Sequence, residues 1–178
     1  MNFKPKAGDV LLLEKKGPAG RVIAWWQRTT GVESEGDNLT HCCTFTKRTH
    51  VFNALPLGLK EHVLPKKYIK YRHVLFRKRD TVPNRYQISK FVKKHDGRWY
   101  SHFLIIGFGL MEWLKLDKNP FSIGNICTKE CYMWMMDVLS DTILPIKYDR
   151  NSMKVEDLYE YLVNSNEYEL VYDSEETK

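Results

Sequence analysis

Two short β-forming runs with a polar connection between them constrain the fold of this chain more than any other feature. Residues 39–46 (LTHCCTFT) and 50–55 (HVFNAL) are rich in apolar, aromatic and β-branched side chains, and KRT lies between them. Such a pair predicts a β-hairpin. Because successive residues of a strand point to opposite faces, we expect Cys42 and Cys43 on opposite faces of a sheet.

The rest of the chain divides into a β-rich first half and a helical second half. Strands are predicted over Val10–Leu13, over YIKYRHVLFRKR (68–79) and, at the end, over YELVYD (168–173). The resulting order predicts an α+β fold, a small antiparallel sheet backed by helices, in a single domain spanning 1–178. Helices are predicted over AGRVIAWWQRTTG (19–31), NRYQISKFVKKH (84–95), RWYSHFLIIGFGLMEWLKL (98–116), ICTKECYMWMMDVLSD (126–141) and KVEDLYEYLVNS (154–165).

Composition and hydropathy exclude several classes of protein. A hydrophobic share of 43% is that of a folded globular chain. No apolar run reaches the roughly 18 residues that a transmembrane helix needs. The apolar run Val10–Leu13 near the start is too short for the core of a signal peptide. We therefore expect a cytoplasmic protein whose four cysteines are reduced.

The net charge of +6 is concentrated in one region. Between Lys60 and Lys94, basic residues alternate with tyrosines and apolar side chains. Such a stripe is either a solvated face or a surface that steers an anionic polymer. Under the second interpretation, the contacts would come from Lys66, Lys67, Arg77 and Lys78.

Cys127 is the candidate nucleophile. Asn125 is a favourable N-cap, which would place Cys127 in the first turn of the helix predicted over 126–141. A thiol at that position is acidified by unpaired backbone N–H groups and by the positive end of the helix dipole. Cys131 is the rival, but it lies one turn further along, on the apolar face with Trp134.

A base and an orienting group are available in the hairpin. His41 begins the first strand, directly after a polar loop, so its side chain can reach a cleft. Asn53 interrupts an otherwise apolar strand and needs partners for its amide. If its oxygen accepts the His41 ring N–H, the imidazole tautomer is fixed. Cys127, His41 and Asn53 would then form a Cys-His-Asn triad.

The order of these motifs resembles the circularly permuted branch of the NlpC-type papain-like hydrolases, which includes the lecithin-retinol acyltransferase-like enzymes. The segments that carry the resemblance are AGDVLLLEKKGPAGRVIAWWQRTTG, LTHCCTF, VFNALPLG, GNICTKECYMWMMDVL and the closing KVEDLYEYLVNSNEYELVYD. In that branch, the histidine precedes the cysteine. The resemblance implies a permuted papain-like fold with an insertion-like basic region over 60–99.

The same resemblance implies a cysteine peptidase or amidase, with Cys127 as nucleophile, His41 as base and Asn53 orienting the imidazole. Its substrates would be peptides, peptidoglycan stem peptides or acyl lipids, and no cofactor or metal is implied. A compact enzyme of this kind would suit a bacterium or a phage.

A different class of function uses overlapping residues. Cys127 and Cys131, with His41 or Cys43, offer ligands for a structural zinc ion. The protein would then be a basic module without catalysis, and it would bind nucleic acid or cell wall through Tyr68, Tyr71, Arg72 and Arg77.

Overall fold

The fold was analysed in a computed structural model that describes residues 3–17, 20–21, 24–25, 38–101, 110, 113–115, 126–144 and 153–175. Within these ranges, one antiparallel sheet carries most of the β-structure, and three α-helices of ten or eleven residues are described in full. The strands are β1 (Val10–Leu13), β2 (His41–Phe45), β3 (His50–Leu55), β4 (Gly58–Val63), β5 (His73–Lys78) and β6 (Tyr168–Asp173). The helices are α1 (Arg85–His95), α2 (Cys127–Asp137) and α3 (Val155–Asn164), with a 3₁₀ helix at Lys66–Lys70.

The six strands are ordered β4-β3-β2-β1-β5-β6, and each neighbouring pair is antiparallel. The predicted α+β class is therefore confirmed. The predicted hairpin is also present, because β2 pairs with β3 across the connection Thr46–Thr49. Strands β1, β2 and β5 form the centre of the sheet, which explains why β1 is buried along its whole length.

Both faces of the sheet are covered, and alternate residues of the strands divide between them. Cys42 belongs to the cluster packed under the three helices, together with Phe52 and Trp134. Cys43 belongs to the cluster on the opposite face. The prediction that the two adjacent cysteines point in opposite directions is confirmed.

The connection from β4 to β5 covers the second face of the sheet. Since β4 is an edge strand and β5 lies beyond β1, the chain has to cross the intervening strands. It does so through the 3₁₀ helix, whose Tyr68 packs against the second-face cluster. Residues 68–70, predicted as strand, are therefore 3₁₀ helix, and β5 begins only at His73.

The basic region predicted at 60–99 is part of the sheet architecture. It contains the end of β4, all of β5 and α1, and β5 is bonded to both β1 and β6. Helices predicted over 19–31 and 98–116 fall mostly outside the described residues. Within them, Gly20–Arg21, Ala24–Trp25, Leu110 and Trp113–Leu114 are helical, whereas residues 98–101 are not. In the part of the chain that is described, no helix is long and apolar enough to cross a membrane.

Candidate functional site

The candidate site lies where β2 and β3 separate. The two strands pair only through Thr44 with Phe52 and Phe45 with Val51. Beyond these pairs, the first residues of β2 have no ladder partner on the β3 side. Cys42 lies in this unpaired part, and α2 packs against β2. The separation of the strands leaves space and unused backbone donors beside the first turn of α2.

Asn53 holds the imidazole of His41 at this end of the hairpin. The Asn53 Oδ1 atom lies 2.7 Å from His41 Nε2, and both side chains are buried. An amide oxygen can only accept, so Nε2 carries the proton and donates it. In the neutral ring, Nδ1 is therefore the nitrogen with a free lone pair. The hydrogen bond expected from the sequence is present.

His62 and Tyr68 complete the partners of the Asn53 amide. The Asn53 Nδ2 atom donates to His62 Nε2 at 3.3 Å, and His62 Nδ1 in turn donates to the carbonyl of Val63 at 2.9 Å. The amide also hydrogen-bonds to the Tyr68 hydroxyl. This bond lowers the pKa of Tyr68, but burial has the larger effect and raises that pKa. The two histidine tautomers and the orientation of the amide are thus mutually consistent.

Cys127 is the first residue of α2, as predicted. The N-cap is Ile126, which provides no side-chain hydrogen bond, and Asn125, the predicted cap, lies outside the described residues. The first-turn N–H groups of the helix have no intrahelical acceptor. These donors and the dipole favour a negative charge at this end of α2.

The pKa of the Cys127 thiol is lowered well below its usual value. The largest cause is a hydrogen bond from the Cys42 thiol, and it outweighs the opposing effect of burial. The positive charge and the hydrogen bond of His41 lower the pKa further, and so does the backbone N–H of Cys42. Cys127 and His41 are therefore close enough to interact, and Asn53 is bound to Nε2 of the same ring.

The other cysteines lack this environment. Burial is the largest cause of a raised pKa at Cys42, Cys43 and Cys131. All four cysteines are buried and free of disulfides. Cys131 is 1% exposed and Cys127 is 7% exposed, so the latter is also the more accessible of the two. Geometry and electrostatics both favour Cys127 over its rival as a nucleophile.

Cys42, His62 and Lys15 were not anticipated from the sequence as parts of the site. The position of Cys42 next to His41 was visible, but only tertiary packing shows that its thiol meets Cys127. His62 lies in β4, whose sequence shows no strand pattern. Lys15 follows β1 and interacts electrostatically with Cys127.

A groove adjoins the site on the side of Tyr68. It has a volume of about 830 Å³, and its walls carry the side chains of Lys15, Lys67 and Tyr71 among others. On the far side of Lys15, a second hollow of about 430 Å³ reaches Thr40, the residue before His41. Lys15, whose charge interacts with Cys127, lines both hollows.

The four basic residues predicted to steer an anionic polymer have different surroundings. Arg77 binds the buried carboxylate of Asp9 through two hydrogen bonds of 2.8 Å. Lys78 is engaged by the Glu167 carboxylate at 2.9 Å and by a backbone carbonyl. These two residues stabilise the fold and are not open to a ligand. Lys66 and Lys67 are exposed, and of the two only Lys67 lines the groove.

The proposed zinc ligands do not converge. Cys43 points to the face of the sheet opposite to that of Cys127 and Cys131. Within the ranges that the structure describes, no group of three or more His, Cys, Asp or Glu side chains is arranged to hold a metal ion. The donor geometry therefore does not support the structural zinc site.

Comparison with known proteins found no matching family model, no similar curated protein and no similar solved structure.

Proposed function

We propose that this protein is a thiol hydrolase, a cysteine peptidase or amidase with a permuted papain-like arrangement of its site. The observation that carries the proposal is the environment of Cys127. Its acidified thiol interacts with an imidazole whose Nε2 is bound by Asn53 at 2.7 Å. Nucleophile, base and orienting group in this order are the parts that thiol hydrolysis of an acyl group requires.

The arrangement of elements supports the permuted papain-like assignment. The histidine strand β2 precedes the cysteine helix α2 in the chain, and the helix packs against that strand. Asn53 lies on the neighbouring strand β3. Peptides, peptidoglycan stem peptides and acyl lipids are the substrate classes that the resemblance implies.

The proposed reaction begins with transfer of the Cys127 proton to Nδ1 of His41. The thiolate attacks the carbonyl carbon, and the oxyanion accepts hydrogen bonds from N–H groups in the first turn of α2. When the tetrahedral intermediate collapses, the leaving amine or alcohol takes the proton from the imidazolium. The acyl group remains on sulfur as a thioester.

Water completes the cycle. His41 takes a proton from the attacking water molecule, and the resulting second tetrahedral intermediate expels the thiolate. The products are a carboxylic acid and the regenerated enzyme. Throughout both halves of the cycle, Asn53 keeps Nε2 protonated and Nδ1 directed to the reacting atoms.

Two matched serine variants test the proposal. With p-nitrophenyl acetate as substrate, we expect Cys127→Ser to abolish hydrolysis and Cys131→Ser to retain most of it. Iodoacetamide should alkylate Cys127 well below the pH at which a free thiol reacts, because the lowered pKa increases the thiolate fraction. Mapping of the alkylated residue by mass spectrometry identifies the thiol. Selective alkylation of another cysteine, or equal loss of activity in two folded variants, would disprove the assignment.

A further inference from the structure

The groove beside the site is strongly cationic. Lysine side chains dominate its polar lining, and Glu14 is the one carboxylate among the residues that line it. Leu13 and Leu55 contribute apolar surface at the ends of two strands. The lysines are Lys15, Lys16, Lys67 and Lys70.

The groove begins next to the candidate triad. Leu13 is the register partner of His41 across β1 and β2, and Tyr68 lies edge-on to the His41 ring at 6.3 Å between centroids. Lys15 interacts with the charge of Cys127, although burial has the larger effect on the Lys15 pKa and lowers it. A group bound among the lysines would therefore lie close to the acyl carbon that Cys127 attacks.

Most of this positive charge has no carboxylate partner in the described structure. Glu14 pairs with Lys16 at 3.6 Å, whereas no salt bridge between described residues involves Lys15, Lys67 or Lys70. Tyr71 faces the ammonium group of Lys16 at 4.7 Å, and the single ring of Tyr68 contacts two more. Lys15 and Lys67 lie 5.5 Å and 5.9 Å from the centre of the Tyr68 ring. Cation–π contacts of this kind position a charge without neutralising it.

We propose that this groove is a carboxylate-binding subsite and that the preferred substrates are amides of acidic peptides, with a Glu or Asp side chain held by Lys15 and Lys67. The inference rests on the proposed hydrolase function, because it assigns the substrate of the same site. Leu55 and the exposed Leu57 provide apolar surface for the methylene groups of such a residue. Among the described residues, no guanidinium lines the groove, and arginine is the residue that most often holds a phosphate through two bonds. A carboxylate therefore fits better than a phosphate.

The first experiment compares two fluorogenic peptide amides that differ only in Glu or Gln beside the scissile bond. We expect the wild type to hydrolyse the Glu peptide with the higher kcat/KM. Lys67→Met should lower the Glu/Gln ratio about fivefold, the effect of one partly exposed charge pair. Lys66→Met is the matched control, since Lys66 is the preceding residue of the same 3₁₀ helix but does not line the groove. Its ratio should change less than twofold.

The second experiment does not depend on hydrolysis. Iodoacetate and iodoacetamide alkylate the same thiol but differ in charge, so their rate ratio at Cys127 reports the local positive potential. We expect Lys15→Met to lower the iodoacetate/iodoacetamide ratio about fivefold and added salt to lower it in the wild type. Glutarate should protect Cys127 from iodoacetate better than inorganic phosphate at the same concentration.

The outcomes separate the two proposals. Equal hydrolysis of the Glu and Gln peptides, with Cys127-dependent activity intact, would overturn the subsite and leave the hydrolase standing. Better protection by phosphate than by glutarate would replace the carboxylate with a phosphate-bearing ligand. If the wild type cleaves neither peptide, the alkylation ratio decides alone, and an unchanged ratio in Lys15→Met rejects the subsite.

Discussion

Replacing Asn53 by alanine separates orientation of the base from its chemistry. The substitution removes the acceptor that lies 2.7 Å from His41 Nε2, in a place where Asn53 is 1% and His41 5% exposed. A buried donor left without an acceptor costs about 1–3 kcal/mol. The alternative tautomer, with the proton on Nδ1, then competes with the productive one.

If this cost falls on the transition state, hydrolysis slows between about fivefold and a hundredfold, since about 1.4 kcal/mol corresponds to a factor of ten. His41→Ala should be more severe, about 10²- to 10⁴-fold, because it removes the general base altogether. His62→Ala is the control. It deletes the other histidine bound to Asn53 and leaves the His41 bond in place, so we expect less than about a threefold loss.

The assay is kcat/KM for p-nitrophenyl acetate, measured together with the alkylation rate of Cys127 by iodoacetamide. Urea unfolding of each variant shows that the fold is retained. Two results would refute the reasoning: a folded Asn53→Ala variant as inactive as His41→Ala, or one as active as the wild type. In the first case Asn53 would be required for the chemistry itself, and in the second the imidazole would need no orienting group.

Three further predictions concern stability, and urea unfolding measures all of them. Asp141→Ala should lower the free energy of unfolding by about 3 kcal/mol or more, because two buried tyrosine hydroxyls and two backbone N–H groups lose their acceptor. Asp137 is exposed, so the control Asp137→Ala should lower the free energy of unfolding by less than about 0.5 kcal/mol. Arg77→Met should cost about 3–5 kcal/mol, because Asp9 would be left buried and unpaired, and a loss below 1 kcal/mol would contradict this role. Burial raises the pKa of Glu130, so the folded state resists ionisation of this carboxyl group. The stability of the wild type should therefore fall relative to that of Glu130→Gln as the pH rises from about 4 through the raised pKa. A constant difference in stability from about pH 4 to 8 would exclude this linkage.

Local sequence patterns were sufficient to predict the strands and helices whose buried residues recur at regular spacing or form one continuous apolar run. Strand β1 is a short apolar run in the sequence because both of its faces are covered, and α1 was predicted because its apolar residues recur at helical spacing. Strand β4 could not be predicted in this way. Its residues Lys60, Glu61 and His62 show no apolar alternation, since an edge strand is held by backbone hydrogen bonds to β3 rather than by buried side chains.

The three residues of the candidate triad could be identified from the sequence, whereas the residues that surround them could not. Residue type and local position identified Cys127 at a helix start, His41 at a strand start and Asn53 in an apolar strand. These are short-range properties of the chain. Whether three residues separated by up to 86 positions meet depends on how the strands pair and where the helix packs. Only the tertiary structure brings the Cys42 thiol to Cys127, pairs Arg77 with Asp9 and places Lys15 and Lys67 on the walls of one groove. The reason is that long-range packing of the sheet determines which charges are neutralised and which remain available to a ligand.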